Sequence, residues 1–228
     1  MLKTAIRFMR YDKSKSIGVI IGIVISIFLI GQQLGILGFL TGLMGGLIDN
    51  SRADIGEIWV VDNITQNANE LGPLDERLVQ EVRSIPGVKM SYAVVVSSGL
   101  VKFENGKTAS VLLIGSEAPV FVAGPEPSKI IEGSLTDLSL EGAISAEFYD
   151  EKVFDNSVDI GRRVEINGKE AFIRVQTQNA RGFAGSFFYT TLSKARYYGR
   201  VAPNTVNAIA VQVAEGYDKK AVHFELYG

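Results

Sequence analysis

Residues 17–48, IGVIIGIVISIFLIGQQLGILGFLTGLMGGLI, are 32 consecutive residues without a charge, closed by Asp49. A bilayer core of about 30 Å takes about 20 helical residues. At about 1.5 Å per residue the run crosses that core with its far end standing out of the lipid. It holds nine Ile, six Leu, two Val and two Phe. Each of these favours insertion by roughly 0.3–0.6 kcal/mol near the bilayer centre, which outweighs Gln32, Gln33 and the glycines. A signal peptide has an apolar region of only about 7–15 residues followed by a small-x-small cleavage site. The run is longer than that, and GGLIDNSRAD offers no such site, so the reading is a retained anchor.

Charge sets its direction. Within residues 1–16, Lys3, Arg7, Arg10, Lys13 and Lys15 oppose Asp12 alone, whereas the remaining 18 basic side chains face 24 acidic ones. Cations before an apolar run mark the cytoplasmic flank. The expectation is a membrane protein with a cytoplasmic N-terminus and its bulk outside. The acidic remainder argues against nucleic-acid binding. Leu2, Ile6 and Met9 share one side of a short interfacial helix, with Lys3, Arg7 and Arg10 interleaved. That segment reads as a topogenic patch or, through Arg7 and Arg10, as a contact for a cytoplasmic partner. Composition, 46% hydrophobic yet 21% charged, fits one membrane element joined to a folded polar domain. The absence of cysteine excludes disulfides, thiolate metal sites and a cysteine nucleophile.

The run is unusual in its glycines. Gly31, Gly35, Gly38, Gly42 and Gly45 follow spacings of 4, 3, 4 and 3, which form one narrow stripe on a helix. Gly18, Gly22 and Ser26 fall on roughly the opposite face. Small residues let another helix approach closely, and in lipid such packing drives association. The stripe is therefore expected to be a helix-packing surface.

Beyond Asp49 short strands and helices alternate. EIWVVDN (57–63) reads as a strand, and GPLDERLVQEVRSIPGV (72–88) as a helix with an apolar stripe of Leu74, Leu78, Val82 and Ile85. Asn105-Gly106 and Asn167-Gly168 each stand between apolar runs and predict hairpins with type I′ turns. GPEPSKIIEGS (124–134) is the expected crossing between lobes. GAISAEFYDEKVF (142–154) and FFYTTLSKARYYG (187–199) read as strands running into helices, and VNAIAVQVA (206–214) as a final strand.

The order of these pieces is specific: a basic N-terminus, a glycine-rich anchor, a strand, a helix ending IPGV, a hairpin ending LLIGS, then IIEGSL, GAISAEF, DIGRRVEING and FFYTTLSKA. This order resembles the MacB/FtsX-like ABC-transporter permeases, over about residues 1–217. The resemblance implies an α+β architecture: a basic interfacial segment (1–16), a single transmembrane helix (17–48) and a two-lobed mixed α/β extracytoplasmic domain (49–228). Lobe one takes about 53–120 and 200–228, lobe two about 121–199. It further implies a non-enzymatic subunit that relays motion driven by ATP bound in a separate cytoplasmic ABC ATPase. The implied partners are that ATPase, a second permease copy forming a dimer, membrane lipid and a periplasmic membrane-fusion adaptor. Such permeases continue into three further membrane helices; after EGYDKK this sequence ends AVHFELYG, where they enter the helix leading to the next span. The competing reading is a single-pass adaptor or sensor without a transport role.

No catalytic, cofactor or metal constellation is expected. The lone His223 has no partner at a recognised spacing, and GFAGSF (182–187) lacks the phosphate-loop pattern. Asp150, Glu151, Asp155 and Asp159 lack the order of a calcium loop and read as a solvated face. Among the aromatics Phe183, Phe187, Phe188, Tyr189, Tyr197 and Tyr198, a partner surface would be carried by Phe187, Tyr197 and Tyr198. A core beneath a strand–helix junction is the preferred reading of the same residues.

Overall fold

The charge-free run becomes most of one continuous helix, α1 (Lys13–Met44). The computed structural model describes residues 11–66, 70–183 and 185–227; Arg7 and Arg10 lie outside the described residues. By length and composition α1 can cross a membrane, and none of its residues is buried. The two hydroxyls of its charge-free stretch bond back to the helix: Ser26 Oγ donates to the Gly22 carbonyl at 2.8 Å and Thr41 Oγ1 to the Leu37 carbonyl at 2.9 Å. The helix starts and stops earlier than the charge-free run. Asp12 draws Lys13–Ser16 into it, accepting the Ser16 amide on its carbonyl at 3.1 Å and pairing with Lys15 at 2.9 Å. Two consecutive glycines, each about 1 kcal/mol poorer than alanine in a helix, break it at Gly45. Gly45 thus caps a second short helix, α2 (Gly46–Asp49), and leaves the stripe on α1 with four members.

The chain divides into two units, Met1–Gly42 and Leu43–Gly228. The second is organised by two long strands, β3 (Val88–Lys102) and β4 (Thr108–Ser116), paired antiparallel from Val94↔Ser116 to Lys102↔Thr108. The first half of β3 also pairs with β12 (Ala208–Val213), which carries β1 (Ile58–Val60) at its outer edge. The last residues of β3 pair with β7 (Arg163–Ile166), and β7 with β8 (Lys169–Thr177). β8 also takes β6 (Ala143–Glu147) in parallel and β5 (Ile130–Glu132) antiparallel. On the far side of β4 lies β10 (Gly185–Thr191), parallel to it, with β9 (Arg181–Gly182) folded back. The sheet curls until β6 meets β10. There the Tyr189 amide donates to Ser145 Oγ at 2.9 Å and Thr190 Oγ1 to the Ala143 carbonyl at 2.7 Å. The regions expected to form lobe one and lobe two share this one sheet through β3 and β4.

Alternation along the strands serves separate cores. On β3, Val94 and Val96 join Leu47, Phe187 and Tyr189, while Ala93 and Val95 join Val79, Val82 and Ile209. On β4, Leu112 and Ile114 face the first of these, whereas Val111 and Leu113 point into the curl with Phe103, Phe154 and Phe188. Strands buried on both faces read as near-continuous apolar runs, as SVLLIG does here. Each fully buried Leu, Ile or Phe contributes about 1.5–3 kcal/mol before entropy is counted.

Three local expectations are corrected. The helix expected over 72–88 is confined to α3 (Leu78–Arg83), because Leu74–Asp75 (β2) is drawn into pairing with β11 (Thr205–Val206). Asn167 and Gly168 take φ of 49° and 82°, as a type I′ turn requires. At the other hairpin Gly106 has φ 81° but Asn105 is not left-handed. The Gly106 amide bonds the Phe103 carbonyl at 2.9 Å and the Phe103 amide the Lys107 carbonyl at 3.1 Å, which describes a type I turn with a glycine bulge. Asn105 Nδ2 donates to the carbonyls of Phe154 and Asp155, both at 2.9 Å, so a non-local contact decides the turn. That contact ties the hairpin to α4 (Asp150–Phe154). The third correction concerns Asp150, which is fully buried rather than solvated.

Candidate functional site

Ten residues, Leu43–Arg52, carry the chain from the long helix into the folded unit, and they are tied down along their whole length. The Phe183 amide donates to the Leu43 carbonyl at 2.9 Å. A Cβ on Gly46 would stand 2.5 Å from the Arg181 carbonyl oxygen, so glycine is needed for this close approach. Leu47 is buried in the core with Phe187 and Val94. Asn50 is the hub. Its Nδ2 donates to the Arg181 carbonyl at 2.9 Å and to the Gly46 carbonyl, and its Oδ1 accepts from Lys129 Nζ. Lys129 Nζ also donates to the Asp49 carbonyl at 3.1 Å. The Glu126 amide bonds the Asn50 carbonyl at 2.9 Å, the Arg52 amide bonds the Val122 carbonyl at 2.9 Å, and Arg52 Nη1 reaches the Val120 carbonyl at 3.2 Å. Three distant segments, 120–126, Lys129 and 181–183, thus hold this one stretch.

Behind Arg181 lies a buried ionic cluster. Its Nε is 3.0 Å from Glu147 Oε2 and its Nη2 is 3.2 Å from Asp150 Oδ1. Both carboxylates are fully buried, while the Arg181 side chain keeps 35% of its exposure. Glu147 also accepts the amides of Asn179 at 3.0 Å and Tyr149 at 2.9 Å. Asp150 accepts Ser186 Oγ at 2.5 Å and the Glu147 amide at 3.2 Å. Burial is the largest influence on both acids and holds each above its ordinary range, against the opposing pull of Arg181 and these bonds. Two carboxylates against one guanidinium leave an excess acid, which favours retention of a proton. The cluster braces β6 and α4 against β9 and β10. Ser186 is buried and points its hydroxyl into a carboxylate, so it is not presented as a nucleophile.

The sequence-derived sites fall apart spatially. Gly31, Gly35, Gly38 and Gly42 sit on α1 with open space around each, and Gly45 lies beside its own Asp49 in the turn. Phe187 and Tyr198 are buried and cannot form the partner surface assigned to them, because β10 is covered on both faces and Tyr198 on α5 (Leu192–Gly199) turns inward. Tyr198 Oη donates to the Glu170 carbonyl at 3.0 Å. Tyr197 is 57% exposed, with Lys169 Nζ 3.6 Å from its ring centroid. Sequence reasoning missed Leu47, Asn50, Lys129 and Arg181. The one local signal was the GG pair opening GGLIDNSR, which announces a close backbone approach without saying to what.

No family model matches the sequence, and no curated protein matches it. Solved structures do match in three dimensions. The periplasmic region of MacB from Actinobacillus actinomycetemcomitans aligns with a TM-score of 0.54 at 13% identity, over 76% of this chain and 82% of that chain. The extracellular domain of the noncanonic ABC-type transporter YknZ from Gram-positive bacteria aligns at 0.50 and 16% identity, over 72% of this chain and 86% of that one. At these identities the likeness is one of fold. The second unit has the MacB-like periplasmic fold, as the resemblance of its motifs implies.

Proposed function

We propose that this chain is a permease subunit, or part of one, of a MacB/FtsX-type ABC transporter. In this reading α1 spans the inner membrane with its basic end in the cytoplasm. A separate ABC ATPase drives a change that α1 and Leu43–Arg52 relay to the outer unit for export or extraction of a substrate. Two permease copies pair through α1, and a periplasmic adaptor is the further partner. The observation that carries the proposal is the clamping of Leu43–Arg52 by Asn50, Lys129, Arg181 and Val122. At about 1 kcal/mol per net hydrogen bond, with more for bonds to a charged partner, the clamp resists being pulled free. A displacement of the segment is then passed to the sheet rather than absorbed in a loose linker.

The test uses the full chain purified from native membranes. An ABC ATPase should co-purify, and ATP should change the spacing between spin labels at Arg77→Cys in paired copies. The Asn50→Ala, Lys129→Ala double variant should keep the ATPase and lose the ATP-dependent change. Absence of the ATPase, or of any change in the native chain, would refute the relay.

A further inference from the structure

Three segments of the folded unit meet at Asn167, in the turn between β7 and β8. Its amide donates to the Leu100 carbonyl at 3.0 Å, and its Oδ1 accepts the Leu100 amide at 2.9 Å. Its Nδ2 donates to the Tyr198 carbonyl at 2.8 Å, and its carbonyl accepts Arg200 Nη2 at 3.2 Å. Lys169, two residues on, donates through Nζ to the Tyr197 carbonyl and stands 3.6 Å from the centre of the Tyr197 ring. Tyr197 remains 57% exposed and Leu100 51%, and Arg200 is exposed as well. Both cations thus contact carbonyl oxygens and a ring; among the described residues neither pairs with a carboxylate. Glu170, the next acid along β8, is taken by Arg163 at 2.6 Å.

Arg200 holds its place under strain. It caps the C-terminal end of α5 with φ 56° and ψ 37°, a left-handed position usually taken by glycine or asparagine. An arginine kept there points to a use for its guanidinium beyond the turn. We propose that Lys169, Tyr197 and Arg200 dock an acidic segment of a partner protein. Its carboxylates answer the two unpaired cations, to which Arg200 offers the rest of its fork. An apolar side chain of the same segment packs on the open part of the Tyr197 ring. Exposed tyrosine beside arginine is the composition in which binding energy concentrates. A free inorganic anion leaves the ring unused, so the ring selects a protein segment as the occupant. The inference does not rest on the transporter reading, because the surface belongs wholly to the folded unit.

The test uses the full chain in nonionic detergent and a fluorescein-labelled peptide, Glu-Glu-Phe-Glu-Glu, with Gln-Gln-Phe-Gln-Gln as its neutral control. Anisotropy should show the acidic peptide binding several-fold more tightly than the neutral one, and less tightly as salt rises. Lys169→Gln, Tyr197→Ala and Arg200→Gly should each weaken that binding several-fold. Lys89→Gln, at the exposed start of β3, should leave it unchanged. Unfolding followed by Trp59 fluorescence separates recognition from structure. Arg200→Gly should hold or raise the midpoint, because glycine accepts the left-handed angle freely. Failure of the native chain to bind the acidic peptide overturns the proposal, and so does equal binding of the two peptides. Unchanged binding by Arg200→Gly with a lowered midpoint also overturns it, and would make the arginine a structural cap. Cross-linking between copies through Tyr197→Cys, with no peptide bound by the native chain, would put a second copy there instead.

Discussion

A Cβ added to Gly31, Gly35, Gly38 or Gly42 would meet nothing within 4 Å. One added to Gly124 would stand 2.4 Å from the Asn50 carbonyl oxygen, and one on Gly182 would stand 2.1 Å from the Phe187 ring. In the folded unit the need for glycine is written in the chain's own packing. On the helix no described residue crowds these positions, and the proposed reason for a register of four glycines is the close approach of another helix. The same residue type thus answers internal crowding in one region and stands in open space in the other.

That contrast can be broken in order of effect on folding. Gly124→Val combines a φ of +105° with the clash against Asn50, and should cost about 3–5 kcal/mol of the folded unit's stability. Denaturant unfolding followed by Trp59, the single tryptophan, measures it; a native-like midpoint would mean that crowding does not explain this glycine. Arg181→Met should cost about 2–3 kcal/mol by stranding two buried carboxylates, toward the low end for broken buried pairs because the guanidinium keeps part of its water. A loss no larger than that of an exposed arginine would show that the cluster does not brace the clamp.

A smaller effect is expected with pH. Glu147 and Asp150 are held above their ordinary range by burial, so the folded unit binds protons at these positions more readily than the unfolded chain. Their stabilisation is complete below about pH 4 and is lost as pH rises through their raised folded values. The Glu147→Gln, Asp150→Asn double variant should flatten that part of the stability curve. An unchanged slope would mean that Arg181 keeps both acids charged. At the far end of the series, Gly35→Ile, Gly38→Ile and Gly42→Ile together should leave the Trp59 unfolding midpoint within about 0.5 kcal/mol. They should nonetheless abolish cross-linking between copies in membranes. Persistent cross-linking would remove the stripe's assigned role.

The sequence by itself determined the features that depend on neighbours along the chain. A long charge-free run satisfies its backbone bonds internally, which is why α1 is legible without any tertiary partner. Asn167-Gly168 supplies two left-handed residues in succession and so fixes its turn, and strand-to-helix passages such as FFYTTLSKARYYG show their change of period. The tertiary structure alone decided where distant residues meet. Asn50 joins Lys129 across 79 residues and Arg181 across 131, and no local pattern encodes such separations. It also decided that Asp150 is buried beside Arg181, that Asn105 serves α4 rather than a type I′ turn, and that β2 takes Leu74 from a helix. In each case a non-local bond or burial outweighs a local preference of about 1 kcal/mol or less.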